Sequence, residues 1–318
     1  SIPSVFVAKD AGIALKQAAE NGNAKFFVDA VEHDVASPTG WGMSYFSSWG
    51  PTNDLQIKPV ITAIGGNVNS VSAGTKNGYE VMSGTSMSSP NAAGGFASLL
   101  DAIQADNPTL SKKDAADLAR NRTASSALPL IAYYDDNGAA VPYSPRQQGA
   151  GCLDLEAAYH TTLVIEDPFA ELGDDPARDG VYTITTDVVN TAPETRTYAL
   201  HTDVLMDAVA GDNFGTDAEP DYHVYNVMAP AALEEGVDYT LSAPDTITLA
   251  AGEHQTVTVT ITLTADMKEF LDAYFENGAF LDGYVYFDSA DAETSESQHV
   301  SYLAFYGDWA AAPIFETN

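Results

Sequence analysis

From Thr162 onward the hydrophobic pattern of this chain settles to a period of two. Val181-Tyr182-Thr183-Ile184-Thr185-Thr186-Asp187-Val188-Val189 and Gln255-Thr256-Val257-Thr258-Val259-Thr260-Ile261-Thr262-Leu263 place apolar residues at alternate positions, the spacing of strands with one buried face. Similar runs at 197–205, 283–288 and 299–305 are separated by turn residues such as Asn190-Thr191-Ala192-Pro193 and Ala250-Ala251-Gly252. Together they predict an all-β sandwich over residues 162–318. The acidic, aromatic-bearing stretch from Asp207 to Gly236 breaks the alternation and reads as a long insertion.

Ahead of Thr162 the rhythm is mixed. Residues 1–37 read as strand, helix, strand, with Asp10 capping a helix that reaches Glu20 and Gly22 stopping it. The Gly- and Ser-rich stretch Ser37-Pro38-Thr39-Gly40-Trp41-Gly42 marks a boundary. Residues 38–161 have the pattern of an α/β layer fold. Ile57–Ala63 is a short apolar run rich in β-branched residues, Met87–Gln104 suits a buried helix, and Ser111 with Asp114 forms a capping box for a helix reaching Arg120.

Composition removes whole classes of function. Thirteen Lys plus Arg against 45 Asp plus Glu give a net charge of −32, which repels a phosphate backbone and excludes nucleic acid as a partner. The longest apolar runs, Ala92–Leu100 and Trp309–Phe315, fall short of the ~20 residues a spanning helix needs. A single cysteine, Cys152, forbids an internal disulfide and reads as a small buried apolar residue. The start at Ser1, without a methionine or a signal-like apolar run, reads as a piece of a longer polypeptide.

The segment that carries chemistry is Met82-Ser83-Gly84-Thr85-Ser86-Met87-Ser88-Ser89-Pro90-Asn91-Ala92-Ala93-Gly94. Gly84 permits a sharp turn, and Ser86 then stands in the first turn of a helix. There its hydroxyl meets the positive end of the helix dipole and its backbone N–H points at an oxyanion forming on a substrate carbonyl. A serine so placed is suited to nucleophilic attack. An N-cap role explains Ser86 alone and leaves its neighbours unexplained. Met87, beside that hydroxyl, is either plain core or a site of peroxide sensitivity through sulfoxide formation.

The segment resembles the nucleophile motif of the subtilases, the subtilisin-like serine peptidases. Three further blocks resemble the same family in the same order: Ser44-Tyr45-Phe46-Ser47-Ser48-Trp49-Gly50-Pro51, Lys58-Pro59-Val60-Ile61-Thr62-Ala63-Ile64-Gly65-Gly66, and Gln148-Gly149-Ala150-Gly151-Cys152-Leu153-Asp154-Leu155-Glu156-Ala157-Ala158. Ile2–Gly22 looks like the end of a protease-associated domain. Residues 277–285 and 301–309 look like a fibronectin type III-like domain of the kind found in cell-envelope proteinases, including lactocepins and the streptococcal complement-cleaving peptidases. The chain departs from the family pattern at Val60, Ile64 and Asn91, positions that affect packing and turn geometry.

The resemblance implies three parts: residues 1–37 as the C-terminal part of a protease-associated insert, 38–161 as the C-terminal half of a three-layer subtilisin-like catalytic domain, and 162–318 as the sandwich. It implies Ser86 as nucleophile and as backbone N–H donor to the oxyanion, with Gly84, Thr85, Met87 and Pro90 supporting the motif. It further implies polypeptide substrates and an extracellular location, secreted or anchored to a cell wall. Subtilases supply Asp, His and the oxyanion Asn ahead of the nucleophile. Here the sole histidine before Ser86 is His33, without the glycines of the family's His-Gly-Thr-His block, and it reads as a solvent-exposed residue at a strand end. The missing N-terminal half of the catalytic domain is therefore an expected partner, the chain alone is expected to be inactive, and an apolar face is expected to lie open on residues 38–161.

Acidic clusters at Asp167, Glu171, Asp174, Asp175 and Asp179, and at Asp207, Asp212, Asp217, Glu219 and Asp221, offer oxygen ligands to calcium, yet neither fits a twelve-residue calcium loop and both read as solvated loops. His160, His201, His223, His254 and His299 lack metal-ligand spacing, and no cofactor is expected. The competing reading from another class is a pseudoenzyme or adhesin whose sandwich binds host or cell-wall ligands, against which the intact Gly84-Thr85-Ser86-Met87 argues.

Overall fold

A computed structural model describes residues 9–22, 40–213, 222–290 and 297–311, and two compact units part after Gly40. In the first, α1 (Lys9–Glu20) is a helix with Lys16 and Glu20 one turn apart at 3.9 Å, closed by Gly22 at φ +71°. The flanking strands expected in residues 1–37, and His33, lie outside the described residues.

The second unit contains, in chain order, β1 (Val68–Val71), β2 (Tyr79–Met82), α2 (Thr85–Asp106), α3 (Lys112–Ser125), β3 (Ile131–Tyr134), β4 (Ala140–Pro142), α4 (Pro145–Gln148) and α5 (Leu155–His160). There follow β5 (Leu163–Ile165), β6 (Phe169–Asp175), β7 (Val181–Asn190), β8 (Arg196–Asn213), β9 (Tyr222–Ala232), β10 (Tyr239–Ser242), β11 (Thr246–Leu249), β12 (His254–Leu263), α6 (Ala265–Tyr274), β13 (Ala279–Ser289) and β14 (Ser297–Tyr306).

The period-two half folds as its pattern requires. One sheet has the order β10-β12-β7-β5 and the other β11-β8-β13-β14-β6, with β9 added beside β8. Across β7 and β12, Ile184 faces Val259 on the core side. On the outer side Thr183 pairs with Thr260 and Thr185 with Thr258, their hydroxyl oxygens 3.2 and 3.5 Å apart. Tyr198, Val285, Phe287, Val300 and Tyr302 meet Leu163, Ile165, Ile184, Val257 and Ile261 in the core between the sheets. Each such side chain contributes about 1.5–3 kcal/mol by leaving water.

Three features differ from the sequence reading. The stretch from Asp207 to Gly236 is a β-hairpin over most of its length, because β8 runs on to Asn213 and pairs with β9 past a register shift between Asp207 and Ala208. That shift scrambles the alternation a sequence pattern relies on. Next, α2 is buried only at Leu99 and Ile103, where α3 and α5 cover it, and its N-terminal part is exposed or half-buried. Its small residues Ala93, Gly94 and Ala97 face no partner close enough to seal them.

Finally, β13 and β14 are buried on both faces, so that Asp282, His299 and Ser301 are all nearly sealed from solvent. Residues 41–161 lie against their outer face, with Tyr284 Oη donating to the Tyr143 and Gly149 carbonyls at 3.1 Å each. Those residues hold no large sheet of their own: β1-β2 and β3-β4 are separate two-stranded pairs, and Ile57–Ala63 enters the pairing only through a bridge from Thr62 to Cys152. The helix begun at Ser111 is as expected at its start, with the Ser111 hydroxyl accepting from the Asp114 N–H at 3.1 Å, and it runs on to Ser125.

Candidate active site around Ser86

The turn before α2 is held from one side by a second glycine. Gly84 N–H donates to the Gly65 carbonyl at 2.8 Å, and a Cβ on Gly65 would stand 2.9 Å from the Gly84 carbonyl oxygen and 3.0 Å from Ser88 Cβ. Only glycine allows that approach. One residue earlier, Ser83 Oγ accepts from Asn67 N–H at 2.8 Å and fixes the turn's other edge.

Helix α2 starts at Thr85 with Gly84 as its uncapped N-terminal neighbour. Met87 and Ser88 N–H turn back to the Gly84 carbonyl at 3.0 and 3.4 Å. The Thr85 and Ser86 N–H groups have no acceptor within the helix and are available to an incoming anion. Pro90, inside the helix, has no N–H to give the Ser86 carbonyl. The Ser86 side chain is exposed, and its hydroxyl donates to Met87 Sδ at 3.4 Å. Gly84, Thr85, Ser86, Met87 and Pro90, singled out in the sequence, thus share one turn and the helix start that follows it.

The described histidine side chains have partners of their own. His201 Nδ1 lies 2.9 Å from Asp288, His254 Nδ1 lies 4.0 Å from Glu166, and His160 packs edge-on against Tyr159. His299 is buried edge-on against Tyr284, its Nε2 sealed from solvent without a hydrogen-bond partner. Burial pushes its imidazole down to about 4, so it is neutral at pH 7.

Apolar side chains surround the turn in the open. Ile64, Val71, Tyr79, Val81 and Met82 are each exposed, Val71 to 74%, far more apolar surface than scattered single residues present.

The acidic clusters are used locally. Glu171 Oε1 accepts from Ile57 N–H at 2.9 Å, Asp174 from Trp309 N–H at 3.1 Å, and Asp175 from the N–H groups of Asp179 and Gly180 at 3.0 and 2.8 Å. The side chains of Asp212, Asp217, Glu219 and Asp221 lie outside the described residues. Cys152 is half-buried rather than sealed, its thiol pushed up by burial and by the nearby Asp154 carboxylate.

Sequence reasoning passed over one group altogether. Arg146, on the fully buried one-turn α4, donates from Nε to Asp282 Oδ2 at 2.6 Å and from Nη2 to Asp207 Oδ1 at 2.7 Å, and its guanidinium lies 4.3 Å from the Phe280 ring centre. Burial alone would pull this guanidinium down, and the Asp282 and Asp207 carboxylates more than offset it. The signal was present as an acidic residue, Asp282, inside the otherwise apolar run 279–287.

The subtilase family model matches residues 28–151 and an Fn3-like domain model matches residues 177–303. A C5a peptidase of Streptococcus pyogenes is 31% identical over 318 residues, covering 99% of this chain and 24% of that protein. A PII-type proteinase of Lacticaseibacillus paracasei and a PI-type proteinase of Lactococcus lactis subsp. cremoris are each 30% identical over 290 residues, covering 86% of this chain and 14% of theirs. The chain thus spans about a quarter of the length of the C5a peptidase it matches.

Proposed function

We propose that this chain, which carries a subtilase-family segment followed by an Fn3-like domain and is homologous to C5a peptidase and to the PI- and PII-type proteinases, is part of an extracellular serine endopeptidase, secreted or held at a cell wall. One observation carries the reading: an exposed serine hydroxyl in the first turn of a helix, beside free N–H groups, on a turn that only glycines allow.

Ser86 Oγ attacks the scissile carbonyl of an extended polypeptide. The carbonyl oxygen gains charge as the tetrahedral intermediate forms and takes a hydrogen bond from the Ser86 N–H. The attacking hydroxyl loses its proton to an imidazole. That base, its carboxylate and the side-chain oxyanion donor come from residues outside these 318, and the exposed apolar surface of Ile64, Val71, Tyr79, Val81 and Met82 is where the remainder of the catalytic domain packs. Alone, the 318 residues are inactive, because a serine hydroxyl without a base is a weak nucleophile.

The test is a hydrolysis assay on an unfolded protein substrate, using these residues together with the polypeptide that precedes them. Cleavage that disappears on Ser86→Ala supports the reading, and cleavage untouched by that change refutes it.

A further inference from the structure

The Fn3-like sandwich grips the part of the chain that sets the position of Ser86. The grip is on residues 143–150. Asp282 Oδ2 accepts from Ser144 Oγ at 2.5 Å and from Arg146 Nε at 2.6 Å, while its Oδ1 is buried without a partner. Tyr284 Oη reaches the carbonyls of Tyr143 and Gly149.

The same stretch clamps the segment that leads to the nucleophile. Ala150 N–H donates to the Val60 carbonyl at 3.1 Å, Thr62 N–H to the Gly151 carbonyl at 2.8 Å, and Thr62 Oγ1 to the Gln148 carbonyl at 3.0 Å. Gly149, at φ +65°, lies so close that a Cβ there would stand 2.4 Å from the Val60 carbonyl carbon. Three residues past Thr62, the Gly65 carbonyl takes the Gly84 N–H, two residues from Ser86. A buried ion pair between residues 41–161 and the sandwich is thus linked to the turn before α2 by hydrogen bonds at both ends of the short chain segment from Val60 to Gly65.

We infer that Arg146 and Asp282 are positioning residues for Ser86, and that the sandwich is a working part of the peptidase centre rather than a separable accessory. The catalytic half of this inference rests on the peptidase reading above, and the mechanical half does not. A buried pair of this kind is a costly way to gain stability and an effective way to fix one register, since the fork of Arg146 meets two carboxylates on separate strands, β8 and β13.

The experiment is amide hydrogen exchange of the 318-residue chain in its wild-type form and as Asp282→Asn, Arg146→Lys and Ser144→Ala, with Asp272→Asn, in the Arg178 pair elsewhere on the sandwich, as control. Exchange at Thr62, Ala150 and Gly84 is expected to quicken by about tenfold or more while Val257 and Val259 in β12 keep their rates. Faster exchange at Thr62 and Ala150 with Gly84 unchanged overturns the inference, as does no change at any of the three. Should Asp282→Asn also loosen β12, the Ser144→Ala variant, which keeps the ion pair and removes the hydroxyl's bonds to the Asp282 carboxylate and the Arg146 N–H, decides by the same criterion.

The chain extended upstream to include its base supplies the second arm. There kcat for a short chromogenic peptide is expected to fall about tenfold in Asp282→Asn with KM unchanged, and an unchanged kcat overturns the inference. If the extended wild type shows no turnover, the peptidase reading fails, and the exchange result still decides whether the sandwich and the turn are coupled.

Discussion

Ser86 Oγ and Met87 Sδ lie 3.4 Å apart at the start of α2, both within reach of solvent. An oxygen added to that sulfur converts a soft apolar neighbour into a polar, bulkier one against the Ser86 hydroxyl. On the proposed peptidase reading, peroxide is therefore expected to lower the activity of the polypeptide extended upstream, with Met87→Ala resisting the loss. Activity assays paired with mass spectrometry of the Met87 peptide check this, and equal sensitivity in both proteins contradicts it.

Ser86→Ala is expected to separate chemistry from stability. The hydroxyl is exposed and makes one weak contact, so its loss changes stability by no more than about 0.5 kcal/mol. Activity of the extended polypeptide falls by roughly 10⁴ to 10⁶. Thermal unfolding and turnover, measured on one preparation, check both halves.

His299 gives stability a defined pH dependence. Its folded value is held down from 6.5 to about 4 by burial, so the unfolded chain takes up a proton at higher pH than the folded one. The contribution is complete above pH 6.5, declines as pH falls from there, and is fully lost below about pH 4, a total of roughly 3 kcal/mol. Denaturant unfolding between pH 7 and pH 4 is expected to show this slope, and His299→Gln to flatten it.

Arg146 is expected to matter most when it leaves alone. Arg146→Met strands the buried Asp282 carboxylate and costs about 3–5 kcal/mol. Adding Asp282→Leu recovers much of that loss, because the replaced pair no longer buries an uncompensated charge. A double-mutant cycle by urea unfolding measures the coupling, which is expected to exceed about 1.5 kcal/mol.

Gly149→Ala probes the clamp. At φ +65° and with the Pro59 and Val60 backbone 2.4–2.5 Å from the new Cβ, the chain must move apart there, at a cost of roughly 2–4 kcal/mol. Gly138→Ala, also at positive φ but with open space around it, separates backbone strain from the clash and is expected to cost about 1 kcal/mol.

Strands whose pleat alternates cleanly were legible from the sequence, and β7 and β12 lie within one residue of where Val181–Val189 and Gln255–Leu263 place them. The turn before α2 was legible because its glycines and Pro90 serve a local geometry. What pattern could not supply was the partner of an outer sheet face. Tyr284 and Tyr286 lie on the side of β13 that alternation assigns to water, and only the packing of residues 41–161 reveals why Asp282, His299 and Ser301 are buried there. The continuous run Gly283-Tyr284-Val285-Tyr286-Phe287 was the available signal, since a strand covered on both faces drops its polar alternation. The helix α2 failed in the opposite sense, its small-residue surface lying open where the sequence implies a neighbour.

Active-site mapping with a fluorophosphonate probes the central claim most directly. Mass spectrometry after labelling is expected to place the phosphonyl group on Ser86 in the polypeptide extended upstream, and to find no adduct in the 318 residues alone. An adduct on any other residue of the extended form, or peptide hydrolysis by the 318 residues alone that the reagent abolishes, would contradict the account.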